Sequence, residues 1–379
     1  MRLLIALAAL LATTGAHAAA QGPPRTVTVP TLAYPTVQAG IDAVAPGGTV
    51  RLQPGLYLER VVIEQKTVKL AGIVGHQARA AIQAPDDQAS VVTYGPGGGG
   101  TLQDLTLLGG YAGVEAPVRL DNLQTPGPVV LLRQVEVRAG LYGLHGAFDT
   151  LDIANSKVEG VARHGLVAIQ PRVLKVMRSL FRTGGSVGIY IVNTAPPAGD
   201  IAWVVTRTTV HGFRDGGLHV VGRGAPVLVS WFTGVDNGTA GITLDGTPSA
   251  RITSSRVSGT YPDADGNWGD GIRIAGAAVE LVDVTIEAPA RAGVSIFGCA
   301  ESGQRADAAF KDVLMNEPGF DINWEVYPGC GSSLAGSVAF TEYMTGPVST
   351  VLCLHAATPG DTGCSAVSGG PSVPVGPPL

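Results

Sequence analysis

Short strands in which apolar and polar residues alternate return along most of the chain, and each begins directly after a glycine. Seven such strands follow glycines that are 22 to 30 residues apart: Gly165, Gly188, Gly217, Gly241, Gly271, Gly293 and Gly319. A strand signal that returns at this interval indicates a repeat architecture, in which each coil packs against its neighbours. We therefore predict an all-β fold, a parallel β-helix solenoid of about nine to eleven rungs.

A short amphipathic helix is predicted before the first coil. Val37, Ile41 and Val44 are spaced four and three residues apart, which places them on one face of a helix. Thr36 is a suitable N-cap, and the Pro-Gly-Gly sequence at residues 46–48 ends the helix. Such a helix would cap the open end of the solenoid, where an uncovered strand edge promotes aggregation.

The composition agrees with many short strands joined by tight turns. Glycine occurs 53 times, hydrophobic residues make up 45% of the chain and charged residues only 15%, which is unlike a helical protein with long charged faces. The formal net charge is −5, and the sequence has no basic stripe that would displace counterions from a phosphate backbone. Nucleic acid is therefore not expected as a partner.

The two ends of the chain differ from the repeats. Residues 1–20 resemble a secretory signal peptide, with Arg2 before a short apolar run and a small-residue cleavage site that ends at Ala18. The apolar run is too short to span a bilayer, so we expect no membrane insertion and a secreted or periplasmic protein. We assign residues 21–367 to the β-helix domain and the Pro/Gly-rich residues 368–379 to a disordered tail.

All four cysteines lie after residue 298, and they fit the oxidising compartment that the signal peptide indicates. By proximity we favour disulfides that join Cys299 to Cys330 and Cys353 to Cys364, although four cysteines allow three connectivities. A zinc site is disfavoured, because neither paired cysteines nor histidine partners occur at the spacing of metal ligands.

The segment from the predicted helix to residue 63 carries a sequence pattern that is found in known proteins. Its residues are Thr36-Val37-Gln38, Ile41-Asp42, Gly48-Thr49-Val50, Pro54-Gly55, Tyr57, Glu59 and Val62-Ile63. In this order they resemble the opening of pectin methylesterases and of many other right-handed parallel β-helix proteins of the pectin lyase-like superfamily. The resemblance implies a right-handed β-helix that acts on carbohydrate or binds it.

The catalytic motifs of the pectin methylesterases are not retained. Residues 148–151, Phe-Asp-Thr-Leu, resemble the family's Gln-Asp-Thr-Leu motif. Residues 161–165, Val-Ala-Arg-His-Gly, stand where the family's second aspartate is expected, and its Gly-Arg-Pro-Trp motif is absent. Because the nucleophile position is lost, we do not expect esterase activity.

Outward side chains of successive rungs form columns, because residues alternate between core and solvent along each strand. Registering the rungs on their glycines predicts one column of Tyr190, His219, Thr243, Arg273, Ser295 and Asp321. The next column is predicted to contain Val192, Val221, Asp245, Ala275, Phe297 and Asn323. Our candidate catalytic residues on this face are Tyr190, His219, Asp245 and Arg273.

These residue types suit a polyuronate lyase or epimerase. Arg273 would neutralise the uronate carboxylate and so acidify the proton on C5, His219 would abstract that proton, and Tyr190 would deliver one. The competing interpretation is that polar residues are ordinary on any solvent-exposed sheet face.

The loop before Gly271 is a second candidate site. Trp268 can stack on a sugar ring and, with Asn267, is assigned to substrate binding, while Asp270 is a candidate catalytic carboxylate. With Asp263 and Asp265, Asp270 also offers oxygen ligands for Ca²⁺, although the spacing is not that of an EF-hand. Aspartate and glycine are equally the residues that tight turns select.

Two further carboxylates precede neighbouring strands along the same edge. Asp215 and Asp236 are assigned to substrate binding, since together with Asp270 they would line a cleft. Two functional classes follow. The first is a secreted carbohydrate-active enzyme of lyase, epimerase or hydrolase type that acts on an acidic polysaccharide. The second is a non-catalytic exported β-helix that binds a polysaccharide or cell-surface glycan, and the same scaffold supports both.

Overall fold

The computed structural model describes residues 22–75, 79–117, 127–193, 202–222, 226–298, 306–316 and 320–326, with two short strands at 338–340 and 355–356. The predicted signal peptide, the four cysteines and the predicted tail lie outside the described residues. None of the helices in the described ranges is long and apolar enough to cross a membrane.

One helix, α1 (Val37–Ala43), occurs in the described ranges, and it begins at the predicted cap. The Thr36 hydroxyl accepts a hydrogen bond of 3.0 Å from the Ala39 N–H. The Glu59 carboxylate accepts two more, from the N–H groups of Val37 at 2.9 Å and Gln38 at 3.0 Å. These acceptors satisfy donors that the first turn of a helix leaves unpaired, so the first coil itself completes the cap.

The strands, in chain order, are β1 (Thr26–Val29), β2 (Thr49–Leu52), β3 (Gly55–Leu58), β4 (Val61–Ile63), β5 (Thr67–Gly72), β6 (Ala80–Gln83), β7 (Val92–Tyr94), β8 (Gly99–Gln103), β9 (Leu105–Leu108), β10 (Ala112–Ala116), β11 (Val129–Arg133), β12 (Glu136–Arg138), β13 (Tyr142–Ala147), β14 (Thr150–Ala154), β15 (Lys157–Val161), β16 (Leu166–Ile169) and β17 (Val173–Met177). They continue with β18 (Leu180–Gly184), β19 (Val187–Asn193), β20 (Ala202–Thr206), β21 (Thr209–Phe213), β22 (Gly216–Gly222), β23 (Pro226–Ser230), β24 (Thr233–Val235), β25 (Ala240–Asp245), β26 (Ser249–Ser258), β27 (Asp270–Ala275), β28 (Ala278–Glu287), β29 (Ala292–Gly298), β30 (Asp307–Asn316), β31 (Phe320–Val326), β32 (Val338–Phe340) and β33 (His355–Ala356).

The strands pair in parallel and form three ladders that run along the solenoid. The first ladder joins β1, β2, β5, β8, β11, β14, β17, β20 and β23, and the second joins β3, β6, β9, β12, β15, β18, β21 and β24. The long strands β26, β28 and β30 continue both of these ladders, and β32 extends the first. The third ladder is a separate twelve-stranded sheet of β4, β7, β10, β13, β16, β19, β22, β25, β27, β29, β31 and β33.

The molecule is therefore a parallel β-solenoid of about ten turns, which confirms the predicted fold class. Inward residues stack from rung to rung, as in the fully buried column of Leu166, Ile189, Leu218, Ile242, Ile272 and Val294. Branched aliphatic side chains fit this pleated interior well, and their continuous burial provides the main stabilising contribution of the fold.

The repeated glycines are required by close packing. A Cβ atom on Gly188 would lie 2.2 Å from Val210 Cγ1, and one on Gly271 would lie 2.3 Å from Ile286 Cγ2. Each of these glycines opens a strand of the twelve-stranded sheet directly beside a core side chain of the second ladder. The glycines recur in the sequence because each rung has one corner that is too tightly packed for a Cβ atom.

Candidate functional site

The outer face of the twelve-stranded sheet carries a column of polar and aromatic side chains. Strand register places Glu115, His145, Val167, Tyr190, His219, Thr243, Arg273 and Ser295 side by side. The predicted column is thus correct from Tyr190 to Ser295, but its last member is wrong. Ser295 pairs with Asn323 and not with Asp321, because Gly319 lies two residues before the position that matches Gly293.

Six aromatic rings on this face form a continuous series, which we call the ring ladder: Tyr111, Tyr142, His145, His164, Tyr190 and His219. The rings of Tyr142 and His164 are stacked with centroids 5.9 Å apart, and those of His164 and Tyr190 are stacked at 5.7 Å. The ring of His219 follows at 5.2 Å from Tyr190. Rings in such arrangements attract each other beyond the burial of their area.

Apolar side chains lie between these rings and form a second hydrophobic cluster outside the core. The cluster contains Ala112, Tyr142 and Val167, with Leu141, Ile169, Tyr111 and Tyr190 packed against them. An outer sheet face that only meets water would be evenly polar. An apolar floor with rings and a few polar groups is the composition of a ligand-binding surface.

His219 is a neutral base within this surface. Burial of the imidazole, together with the positive charges of Arg273 and His164, lowers the pKa of His219 from 6.5 to about 4. The ring is therefore uncharged at neutral pH and can accept a proton. Burial likewise lowers the pKa of His164 and of His145, so the ring ladder carries little positive charge of its own.

The pKa of Tyr190 is shifted in the direction that keeps its proton. Burial, and then the negative charge of Asp245, raise the pKa of Tyr190 above its usual value. The phenol therefore stays protonated over the ordinary pH range and can donate its proton. Asp245 itself is half-buried in the neighbouring column, where it pairs in register with Val221 and Ala275.

Arg273 is held by aromatic rings. Its Cζ atom lies 3.8 Å from the centroid of the Trp268 ring and 4.8 Å from that of Phe297. Such cation–π contacts stabilise a guanidinium at a defined position. Trp268 was predicted to stack on a sugar ring, but the guanidinium of Arg273 already covers the indole. Trp268 therefore contacts Arg273, and its stacking on a sugar ring stays a prediction.

Asp270 does not reach solvent. Its side chain is fully buried, and its two carboxylate oxygens accept hydrogen bonds from Arg291 Nε at 2.7 Å and Nη2 at 2.6 Å. Arg291 also donates to the Ser295 hydroxyl at 3.2 Å and lies 4.8 Å from the Trp268 ring. Asp270 therefore supports the loop around Trp268 and does not have the predicted catalytic position.

The other predicted carboxylates, Asp215 and Asp236, both lie near Tyr261, whose pKa is raised by burial of the phenol and then by these two negative charges. Asp215 forms an exposed ion pair with Arg214 at 2.9 Å, and Asp236 lies 3.4 Å from His211. Each carboxylate thus has its own partner, Arg214 for Asp215 and His211 for Asp236.

Asp263, one of the three loop carboxylates that offered oxygen ligands for Ca²⁺, is also engaged locally. One oxygen of Asp263 accepts hydrogen bonds from the N–H groups of Asp265 at 3.0 Å and of Asn267 at 2.8 Å, which shapes the exposed loop. Within the described ranges no three histidine, cysteine, aspartate or glutamate side chains are grouped as metal ligands. Asp263, Asp265 and Asp270 are therefore not grouped as ligands of a single ion.

Sequence reasoning missed the first half of the ring ladder. Gly113 and Gly143 continue the glycine repeat by two rungs, and the same offset from each glycine leads to Glu115 and His145. The Glu115 carboxylate accepts a hydrogen bond of 2.7 Å from the buried Ser90 hydroxyl. Extending the glycine repeat towards the N-terminus predicts the positions of Glu115 and His145. The ion pair of Arg291 with Asp270 follows from no periodic feature of the sequence.

No protein-family model matches the chain, and no curated protein matches it. Among solved structures, the catalytic domain of a GH87 alpha-1,3-glucanase in complex with tetrasaccharides is 11% identical, with a TM-score of 0.51 over 84% of this chain and 68% of that one. The A-module of mannuronan C-5 epimerase AlgE6 from Azotobacter vinelandii is 19% identical, with a TM-score of 0.47 over 81% of this chain and 95% of the module. At such low identity the likeness to the glucanase domain shows a shared fold alone.

Proposed function

We propose that this protein acts on an acidic polysaccharide, by abstracting the C5 proton of a uronate residue in a lyase-type or epimerase-type reaction. The observation that carries the proposal is the column of Tyr190, His219 and Arg273, which combines a protonated phenol, a neutral imidazole and a guanidinium on one apolar face. The glucanase that shares the fold binds tetrasaccharides, which supports carbohydrate as the class of ligand.

The three side chains have separate roles in this chemistry. Arg273 pairs with the uronate carboxylate and stabilises the negative charge that develops when C5 loses its proton. His219 takes that proton. In elimination, the electrons form a C4–C5 double bond, the C4–O bond breaks, and Tyr190 protonates the departing oxygen. In epimerisation, Tyr190 instead returns a proton to the opposite face of C5.

Charge at Arg273 links substrate binding to the basicity of His219. The positive charge of Arg273 is one cause of the lowered pKa of His219. A bound carboxylate neutralises this charge and removes the repulsion on the imidazolium. His219 then becomes a stronger base when a uronate is present, and a neutral sugar would not have this effect.

Export of the protein belongs to the same proposal. The signal-like residues 1–20 and the late cysteines are features of an exported chain, and a polysaccharide substrate would be met outside the cytoplasm. The second candidate function is binding without catalysis. It is favoured by the length of the ring ladder, which continues well beyond the three reactive side chains.

The test is incubation with polyuronates in D2O, in which deuterium at C5 reports proton abstraction and the ultraviolet absorbance of an unsaturated product reports elimination. We expect His219→Gln to reduce the rate by about 10²–10⁴-fold, as for loss of a general base. The matched control is His211→Gln on the second ladder, which should leave the rate unchanged. Polysaccharide binding with neither C5 exchange nor an unsaturated product in the unmodified protein would favour the non-catalytic function.

The pH dependence offers an independent test of the base. Because catalysis needs neutral His219, and because its pKa is lowered to about 4, kcat/KM should be independent of pH above that value and fall as the pH drops through it. A histidine without this environment titrates near 6.5. An acid limb near 6.5 would therefore contradict the assignment of His219.

A further inference from the structure

A second groove runs along the corner between the first and second ladders, which is the corner that does not border the twelve-stranded sheet. We call it the corner groove. It encloses about 380 Å³ and is open to solvent; its lining includes Asn155, Arg178, Thr206, Arg207, Ser230 and Trp231. None of these residues belongs to the ring ladder or to the proposed reactive column.

The backbone stacks four of these residues in register. Asn155, Arg178, Arg207 and Trp231 each occupy the turn between a strand of the first ladder and one of the second, with positive φ between 49° and 53°. Each donates its backbone N–H to the next rung: Asn155 to the Met177 carbonyl at 3.1 Å, Arg178 to that of Thr206 at 3.0 Å and Arg207 to that of Ser230 at 2.9 Å. Their side chains therefore project at intervals of about 4.8 Å along the solenoid.

The fold does not account for a tryptophan at this turn. The left-handed backbone conformation favours glycine, asparagine or aspartate and disfavours bulky side chains. Trp231 adopts it with φ of 53°, and the residue is 60% exposed. The largely exposed indole therefore offers an aromatic face on which a sugar ring can stack.

The two neighbouring arginines are available to an anion. Arg178 and Arg207 are exposed and form no ion pair with any described side chain, whereas Arg133 and Arg172 on nearby rungs pair with aspartates at 2.8 and 2.9 Å. Arg178 and Arg207 are consecutive in the column of turn residues, and Trp231 follows on the next rung. An exposed indole beside two arginines, in line with the solenoid axis, complements a linear anionic polymer.

We infer that the corner groove is a second binding site for an acidic polysaccharide, in which Trp231 stacks on a sugar ring and Arg178 and Arg207 pair with carboxylates. The spacing of one side chain per rung suits an extended chain with a charge on successive sugars. That the polymer is the same acidic polysaccharide rests on the proposed function. That the ligand is anionic and contains sugar rings rests on the arginines and the tryptophan of the groove. Two sites on one molecule raise the avidity for a long polymer without a new contact at either.

The test is the dissociation constant for polygalacturonate and for alginate, measured by affinity electrophoresis with dextran as the neutral polymer. Trp231→Asn and the double variant Arg178→Gln/Arg207→Gln should each weaken binding to an acidic polymer by about tenfold through lost avidity. Asparagine suits the left-handed backbone, so Trp231→Asn should keep the melting temperature of the unmodified protein. The control with the same change of charge is Arg51→Gln/Arg60→Gln, which should bind as the unmodified protein does.

The outcome separates this inference from the proposed reaction, since the binding measurement does not depend on turnover. Weaker binding by the corner variants of a protein that shows neither C5 exchange nor an unsaturated product would support the corner groove and overturn the proposed reaction. Unchanged binding by both corner variants would overturn the corner groove even if C5 exchange is observed. Equal retention on dextran would overturn the assignment of an acidic ligand.

Discussion

At the scale of single residues, the proposed site depends on how one guanidinium is held. Arg273 lies against Trp268, and the loop that carries Trp268 is anchored by the buried pair of Asp270 and Arg291. Neither Trp268 nor Asp270 needs to contact the substrate in this arrangement. Both would act on catalysis through the position of Arg273.

The buried ion pair makes a residue-scale prediction about stability. Asp270→Asn leaves the guanidinium of Arg291 buried without its counter-charge, which should destabilise the protein by about 3–5 kcal/mol. The measurement is the urea concentration at the midpoint of unfolding. Asp265→Asn is the matched control, since Asp265 is exposed in the same loop, and its effect should stay within about 0.5 kcal/mol. Equal midpoints for the two variants would contradict the structural role of Asp270.

At the scale of elements, each rung is organised by its corners. The corner between the second and third ladders requires glycine because the core side chain of the neighbouring strand fills the space of a Cβ atom. The corner between the first and second ladders requires a left-handed backbone, and this requirement permits any residue that tolerates that conformation. The first corner is therefore visible in the sequence as a glycine repeat, whereas the residue at the second corner varies from rung to rung.

The glycine corner makes an element-scale prediction. In Gly188→Ala the new methyl group would lie 2.2 Å from Val210 Cγ1 and 2.8 Å from the Gly217 carbonyl, and such overpacking should destabilise the rung by about 1–3 kcal/mol. Adding Val210→Ala should recover part of the loss, because it removes the closer contact. The thermal midpoint of unfolding is the measurement. Gly22→Ala, where a Cβ meets nothing within 4 Å, should leave it unchanged.

At the scale of the whole molecule, the solenoid arranges single side chains into an extended surface. From β10 to β27 the twelve-stranded sheet advances by six rungs, which is roughly 29 Å at about 4.8 Å per rung. The ring ladder and the reactive column lie along this length. One polysaccharide chain that follows the solenoid axis would contact the rings and present a uronate to Arg273 at the same time.

This length predicts how the rate depends on the size of the substrate. Tyr111→Ala, at the end of the ring ladder far from His219, should raise KM severalfold for long oligouronates and leave KM for short ones unchanged, because only long chains reach it. Tyr111→Phe keeps the ring and should behave more like the unmodified protein. The measurement is kcat and KM across a series of oligouronate lengths. An equal effect on short and long substrates would show that Tyr111 acts through the fold.

The sequence by itself determined the solenoid, its capping helix and the register of Tyr190, His219 and Arg273. These features follow from local rules, namely the period-two alternation of a strand, the cap chemistry of Thr36 and the close packing at each glycine. The tertiary structure alone decided that Asp270 is neutralised by Arg291, that Trp268 supports Arg273 and that the ring ladder is continuous. Those contacts join side chains from turns of different rungs, and their distances depend on the path of each turn, which no periodicity along the chain specifies.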